Sequence, residues 1–198
     1  MAERVAGLVL AAGAGRRFGR PKALVEFEGE ALVQRAGRAL TEAGCEPVRV
    51  VVGAAAAEVR RLLAQPWEAV EAPRWQEGMG ESLKAGLQHL IPRETRAAAV
   101  LVHLVDLPWI PPSALRRVLA EATETTVARA AYDGVPGHPV LFGRRWWPEV
   151  AAAATGDRGA RDWLKARTDV RLVECGDLGN GHDVDRPADL ERPVPPER

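Results

Sequence analysis

Near the start of the chain stand Leu10-Ala11-Ala12-Gly13-Ala14-Gly15-Arg16-Arg17-Phe18-Gly19-Arg20-Pro21-Lys22, a glycine-rich stretch with four cations and no acid. Such a loop suits a triphosphate. Gly13, Gly15 and Gly19 can take positive φ and let backbone N–H groups approach phosphate oxygens, while Arg17 and Lys22 supply charge. Arginine offers a planar fork to two oxygens, and lysine a mobile point charge. Arg16 and Arg20 fit a solvated role equally well, and Pro21 stiffens the approach to Lys22. Far along the chain, Asp106 directly follows an apolar run at residues 97–104 and belongs to no charge run. It is the first carboxylate to consider for chemistry, against the plainer role of a turn or capping aspartate before Pro108.

The elements that must position these groups alternate in period. Residues 5–10 form a short, continuous, branched apolar run, as expected for a strand buried on both faces of a parallel sheet. The glycine loop then sits at that strand's carboxyl end, where open α/β sheets bind ligands, and Asp106 falls on the same sheet edge. A helix is expected over residues 31–43, ended by Gly44, then a strand at 47–52 and a helix with Val59, Leu62 and Leu63 inward. Further expectations are a strand at 67–72, a helix at 82–90, the strand at 97–104 and a helix at 113–122 after Pro111 and Pro112. Strands at 125–132 and 139–142 would pair through the turn at 133–138. A helix at 157–167, a strand at 170–174 and a short helix after Asp183-Val184-Asp185 complete the series. The fold class is therefore α/β: a single-domain, Rossmann-like, mostly parallel sheet with helices on both faces. Residues 1–191 form that domain, and the proline-rich residues 192–198 an extended or disordered tail.

Two familiar glycine loops do not fit. A Walker A loop ends in Gly-Lys-Ser/Thr, whereas Gly19-Arg20-Pro21-Lys22 lacks the hydroxyl. The dinucleotide fingerprint of oxidoreductases needs a third glycine where Phe18 stands, and an acid at the end of a second strand, whereas Glu42 lies in a helical pattern.

Composition narrows the partners. Lys plus Arg and Asp plus Glu number 27 each, so global charge gives no argument for nucleic acid or an anionic membrane, and any phosphate affinity must be local. Cys45 and Cys175 are far apart and in no metal-binding spacing, which suits a reducing compartment. The chain shows no secretion signal and no apolar stretch near the roughly 18 residues that span a bilayer, so a cytoplasmic location is expected.

The segment from Leu10 to Lys22 resembles the signature loop of the MobA-like NTP transferases, closest to the molybdenum cofactor cytidylyltransferases. Trp75-Gln76-Glu77-Gly78-Met79-Gly80-Glu81-Ser82-Leu83 resembles that family's second nucleotide loop. Leu104-Val105-Asp106-Leu107-Pro108 is similar to its metal-binding aspartate segment. Gly137-His138-Pro139-Val140 and Gly156-Asp157-Arg158-Gly159-Ala160-Arg161 are similar to its acceptor side. The resemblance implies transfer of a nucleoside monophosphate from an NTP to a phosphorylated acceptor with release of pyrophosphate. It implies Mg2+ held by Asp106 and by Asp185, or else Asp183, in a stretch that otherwise reads as a helix cap. It implies catalytic roles for Arg17, Lys22 and Asp106. Nucleotide contacts would come from Leu10, Ala11, Ala12, Gly13, Gly15, Lys22, Gly78 and Ser82, and acceptor contacts from His138 and Arg161. The implied partners are the NTP, a phosphorylated pterin such as molybdopterin, and a molybdoenzyme or its chaperone, with no nucleic acid and no membrane.

Within the family, the Ala12 form of the loop points to CTP, because the guanylyl branch, using GTP, carries glycine there. A methyl facing the base would favour a pyrimidine. Ala72 and Val105 depart from the family pattern, which usually has Asn before the second loop and a small residue before the metal aspartate. A sugar-1-phosphate nucleotidyltransferase and a non-catalytic nucleotide- or cofactor-binding protein are the competing readings. His138 is tempting as an acid/base, but a phosphomonoester is already largely dianionic at neutral pH and needs no proton removed. His89, His103 and His182 have no metal spacing. The tryptophans read as packing residues, although Trp75 and Trp146-Trp147 could border an acceptor cleft.

Overall fold

A computed structural model describes residues 3–191. The elements are β1 (Val5–Leu10), β2 (Glu26–Phe27), β3 (Glu30–Ala31), α1 (Leu32–Ala43), β4 (Val48–Val52), α2 (Ala56–Leu62) and β5 (Glu68–Glu71). They are followed by α3 (Met79–Arg93), β6 (Ala99–Leu104), α4 (Pro112–Leu119), β7 (Val127–Tyr132), β8 (Val135–Gly143), α5 (Trp147–Ala153), α6 (Arg161–Lys165) and β9 (Arg171–Glu174). Seven strands make one sheet in the order β5-β4-β1-β6-β8-β7-β9, while β2 and β3 form a separate small hairpin. Only β8 runs against the others in the main sheet, pairing antiparallel with both β6 and β7.

The central strands are apolar on both faces because both are covered. Val5 and Val9 of β1, with Ala99 and Leu101 of β6, pack beneath α1 and α4 against Leu32, Leu40, Leu115 and Val118. The alternate residues Ala6, Leu8, Val100 and Val102 pack on the other side, against Leu83, Leu87 and Leu90 of α3 and Val150 of α5. This is the α/β architecture expected from the alternating periods. α1 opens with the Ala31 N–H donating to Gln34 Oε1 at 3.3 Å and closes on Gly44, at φ 104°.

Two local expectations are corrected, and one helix is added to those expected. The stretch at 157–167 is not one helix: a 3-10 turn, Gly156–Arg158, precedes α6, and Gly156 and Gly159 take φ of 51° and 55°, which interrupts helical backbone. The segment after Trp146-Trp147 is helical as α5, with Pro148 in its first turn, where proline loses no helical bond. The turn between β7 and β8 shrinks to Asp133 and Gly134, at φ 52° and 77°, so β8 starts at Val135. The tail at 192–198 lies outside the described residues.

Candidate active site

The glycine loop leaves the carboxyl end of β1 and is fixed there by its neighbours. Ala11 N–H donates to Val51 O, Ala54 N–H to Ala12 O and Val105 N–H to Leu10 O, at 3.0, 2.9 and 3.2 Å. The loop then folds on itself, with Gly19 N–H donating to Gly15 O at 2.8 Å. Gly15 is at φ 62°, and a side chain there would collide with the Arg20 carbonyl, so the loop requires glycine at that point. Arg20 Nη2 donates to Leu24 O at 2.8 Å and so braces the loop, whereas Arg16 is exposed.

At the end of the loop Lys22 begins a 3-10 turn, Lys22–Leu24, and its ammonium points across the sheet edge. Lys22 Nζ donates to Asp106 Oδ2 at 2.8 Å and to Asp185 Oδ1 at 2.9 Å. Arg17 Nη1 donates to the other oxygen of Asp185 at 2.7 Å. Burial alone would lower the Lys22 ammonium, but the Asp106 charge and the bonds to both carboxylates outweigh it and hold it above its ordinary value. The bond from Lys22 holds the Asp185 carboxyl below the usual carboxylate range. The segment carrying Asp185 is seated by Val184, which is fully buried and donates its N–H to Asp106 O at 3.0 Å. Asp189 Oδ2 accepts from the N–H groups of Asp185 and Arg186 and so orients the segment beyond. Asp183 is exposed, so it is Asp185 that shares Lys22 with Asp106.

Two carboxylates that meet at one ammonium form a point already suited to a cation. Magnesium takes one or two carboxylates and completes its shell with water and substrate phosphates, so this donor set fits it. No cluster of three or more His, Cys, Asp or Glu side chains is present among the described residues, so a protein-only cage is absent there.

The second loop lies nearby at the start of α3. Gly78, at φ 117°, caps that helix, and a side chain on it would run into the backbone of Gly156 and Asp157, as one on Gly80 would into Thr155. The expected nucleotide loop and the expected acceptor segment thus touch backbone to backbone. Ser82 is buried in the first turns of α3. Leu10, Ala11 and Ala12 are buried too, and Ala12, at 4% exposure, belongs to the core beneath α3. Its methyl is packed, not displayed, so a change there reaches a base by repacking. Gly13 is exposed.

On the far side of β6, His138 is half-buried, and burial, then Arg129, His103 and Arg161, push its imidazole down to about 3. Arg161 starts α6 and is exposed. Trp147 is a core residue whose Nε1 donates to Phe142 O, and the half-buried Trp146 stacks under Arg167. Trp75 covers Gly53. Arg129 was not singled out by any motif; the signal for it is a charge inside the otherwise apolar run of β7.

An open α/β sheet with a cationic glycine loop and two carboxylates at one edge is the frame of a nucleotide-handling protein. The family model of the MobA-like NTP transferase domain matches residues 7–171, and the chain belongs to that family, among the nucleotidyltransferases. It is 36% identical to nicotine blue oxidoreductase of Paenarthrobacter nicotinovorans, over 91% of this chain and 92% of that one. It is 38% identical to a probable molybdenum cofactor guanylyltransferase of Opitutus terrae, over 81% and 74%. Among solved structures it is similar to Rv0371c of Mycobacterium tuberculosis H37Rv, with a TM-score of 0.82 and 28% identity over 96% and 97%. A manganese complex of that protein also matches, with a TM-score of 0.72 and 26% identity over 91% and 94%. Among the described residues, no helix is long and apolar enough to cross a membrane.

Proposed function

We propose that this chain transfers a nucleoside monophosphate from CTP to the phosphate of a molybdopterin-type pterin, releasing pyrophosphate, with magnesium as the metal. The observation that carries this reading is the meeting of Lys22, Arg17, Asp106 and Asp185 at the carboxyl edge of β1 and β6. An oxygen of the acceptor phosphate attacks the α-phosphorus in line, a new P–O bond forms, and the bond to the bridging oxygen breaks with its electron pair leaving on pyrophosphate. The protein's share is positioning and charge neutralisation. Arg17 and Lys22 turn from the carboxylates to the triphosphate, and the Gly13–Gly15 backbone gives it N–H donors. Asp106 and Asp185 would hold a magnesium ion, which supplies charge neutralisation on the triphosphate and on departing pyrophosphate. No general base is needed, which agrees with an imidazole at His138 held near 3.

CTP rests on the Ala12 form of the loop, and GTP competes because one relative is named a guanylyltransferase. A cytoplasmic site of action, with delivery to a molybdoenzyme or its chaperone, and a single catalytic domain over 1–191 belong to the same reading. The nearly full-length similarity to nicotine blue oxidoreductase favours a second one, in which the edge holds a redox dinucleotide. Phe18 in place of the third fingerprint glycine stands against it. The deciding experiment measures pyrophosphate release from CTP, GTP and UTP with molybdopterin and with sugar 1-phosphates, beside oxidation of a reduced nicotinamide dinucleotide. Pyrophosphate from CTP and molybdopterin is the expected result. Dinucleotide oxidation without pyrophosphate would put the second reading in its place, and nucleotide binding without either would leave a carrier.

A further inference from the structure

Residues 105–111, between β6 and α4, carry Asp106, and a side chain of α1 reaches across to hold them. Arg35 Nε donates to the Pro108 carbonyl at 3.0 Å, over 73 positions of sequence. Arg38, one turn further on, pairs instead with Glu30 of β3 and Glu42 of α1. The Arg35 guanidinium lies over the Phe27 ring, 5.0 Å from its centroid, and Nη1 stands 3.0 Å from Glu28 Oε2. Phe27 in turn meets Trp109 edge-on, with centroids 6.0 Å apart at 74°. The β2–β3 hairpin thus leans on the Asp106 loop through Pro108 and Trp109 together. The same hairpin grows out of the turn of Lys22: Val25 N–H donates to Lys22 O at 3.0 Å, and Leu32 N–H to Val25 O at 2.8 Å. It therefore joins the two sides of the Lys22–Asp106 contact.

Packing alone does not seat that loop. Val105 and Leu107 are buried, but with Pro108, Arg35 and His103 they border a cavity of about 10 Å³, roughly one water in size. His103 Nδ1 is buried with no hydrogen-bond partner among the described residues. Atoms that face a gap forfeit dispersion contacts on that side. Two of the bonds that tie the loop's backbone are long: Ile110 N–H to Leu107 O and Asn180 N–H to Trp109 O, each 3.4 Å. The bond from Arg35 is shorter, and a charge-assisted bond is roughly twice as strong as a neutral one. The hairpin turn also carries strain at this point. Glu28 and Gly29 take φ of 52° and 79°, as a two-residue turn of this kind requires. A glutamate at positive φ is an uncommon choice, and it is this one that stands against Arg35.

We propose that Arg35 is a positioning residue: by holding the Pro108 carbonyl it fixes the Asp106 loop relative to Lys22, and so sets the point at which a divalent cation is held. The inference rests on the reading above in one respect, that Asp106 is a metal ligand. The test compares manganese binding to the full chain, with CTP or GTP in excess and followed by electron paramagnetic resonance, before and after Arg35→Met. Methionine keeps an apolar stem over Phe27 and removes the donor. Manganese affinity is expected to fall about tenfold, the lower end of what outer partners of metal ligands give. Amide exchange between residues 105 and 110 is expected to quicken, with β1 and α1 unchanged. A role confined to stability would lower the urea midpoint and leave the folded chain's manganese affinity as it was. Unchanged affinity in the folded variant therefore overturns the inference, whatever happens to the midpoint. If Arg35→Met does not fold, Arg35→Lys, which keeps the charge without the planar fork, is read in the same way. Failure of manganese to bind the unaltered chain with either nucleotide rejects the metal reading, and exchange between 105 and 110 then decides for Arg35: quickened exchange keeps the clamp, and unchanged exchange overturns it.

Discussion

Lys22 stands where the proposed metal ion would sit; its side chain is 16% exposed, and those of its carboxylate partners Asp106 and Asp185 are 20% and 35% exposed. Asp106→Ala removes a carboxylate from a loop and no core atoms, so the fold should survive while pyrophosphate release falls. Uncompensated triphosphate charge at the transition state is worth roughly 4 kcal/mol, about a thousandfold in rate. Near-native turnover of the purified variant with saturating magnesium would remove Asp106 from the reaction. Arg17 is 75% exposed, and such an ion pair contributes ~0–1 kcal/mol to folding. Arg17→Ala should therefore leave the urea midpoint in place but weaken CTP binding with magnesium by about tenfold, read by calorimetry. Lys22→Ala should do both kinds of damage, leaving two carboxylates facing each other at a cost of about 1–3 kcal/mol. The residue types at Lys22, Asp106 and Asp185 were legible in the chain as candidates. Their contact was not, because it joins residues 84 and 163 positions apart, a separation on which no local pattern bears.

Among elements, the apolar runs at β1 and β6 were readable because burial on both faces leaves no alternation to misread. β8 was harder: its reversal against β6 and its bulge at Gly137 depend on which neighbours it finds, and α6 was overdrawn because the positive-φ Gly159 looked like an ordinary position in a helical stretch. The edge strand β9 is held to the β7–β8 turn by one carboxylate. Glu174 accepts from the N–H groups of Asp133, Gly134 and Gly176 at 2.9, 2.9 and 2.8 Å. The bonds from Gly134 and then Gly176 hold its carboxyl below the usual range. A folded-state value below that of the unfolded chain, about 4.3, means the bonds stabilise the fold above that pH and the contribution fades as pH falls through the folded value. Glu174→Gln should accordingly unfold at lower urea than the unaltered chain at pH 7, with the gap shrinking in a second series run in acid. A gap of equal size at both would show that the charge is irrelevant there. Gly80 is the second test at this scale. Gly80→Ala pushes a methyl into the Thr155 backbone, so about 1–3 kcal/mol of stability should be lost in urea unfolding.

For the whole molecule, the edge that gathers the loop of residues 11–21, Asp106 and Asp185 exists only when the sheet is assembled, so ligands that bind it must stabilise the entire fold. The size of that effect is RT ln(1 + [L]/Kd), about 2.7 kcal/mol at a hundredfold excess over Kd. Thermal unfolding therefore reports base preference without requiring an acceptor. With magnesium present, CTP should raise the midpoint more than GTP at equal concentration, and Asp106→Ala should lose most of the increment with either. Ala12→Gly should narrow the gap between the nucleotides. It should also lower the midpoint without ligand, because the Ala12 methyl is packed under α3 and glycine adds freedom to the unfolded chain. A methyl-sized change discriminates ligands by only ~1–3 kcal/mol, so the gap should shrink and not reverse. A larger shift with GTP would assign the donor to the guanylyl branch. No shift with either nucleotide, together with a shift from a reduced dinucleotide, would transfer the same edge to redox chemistry.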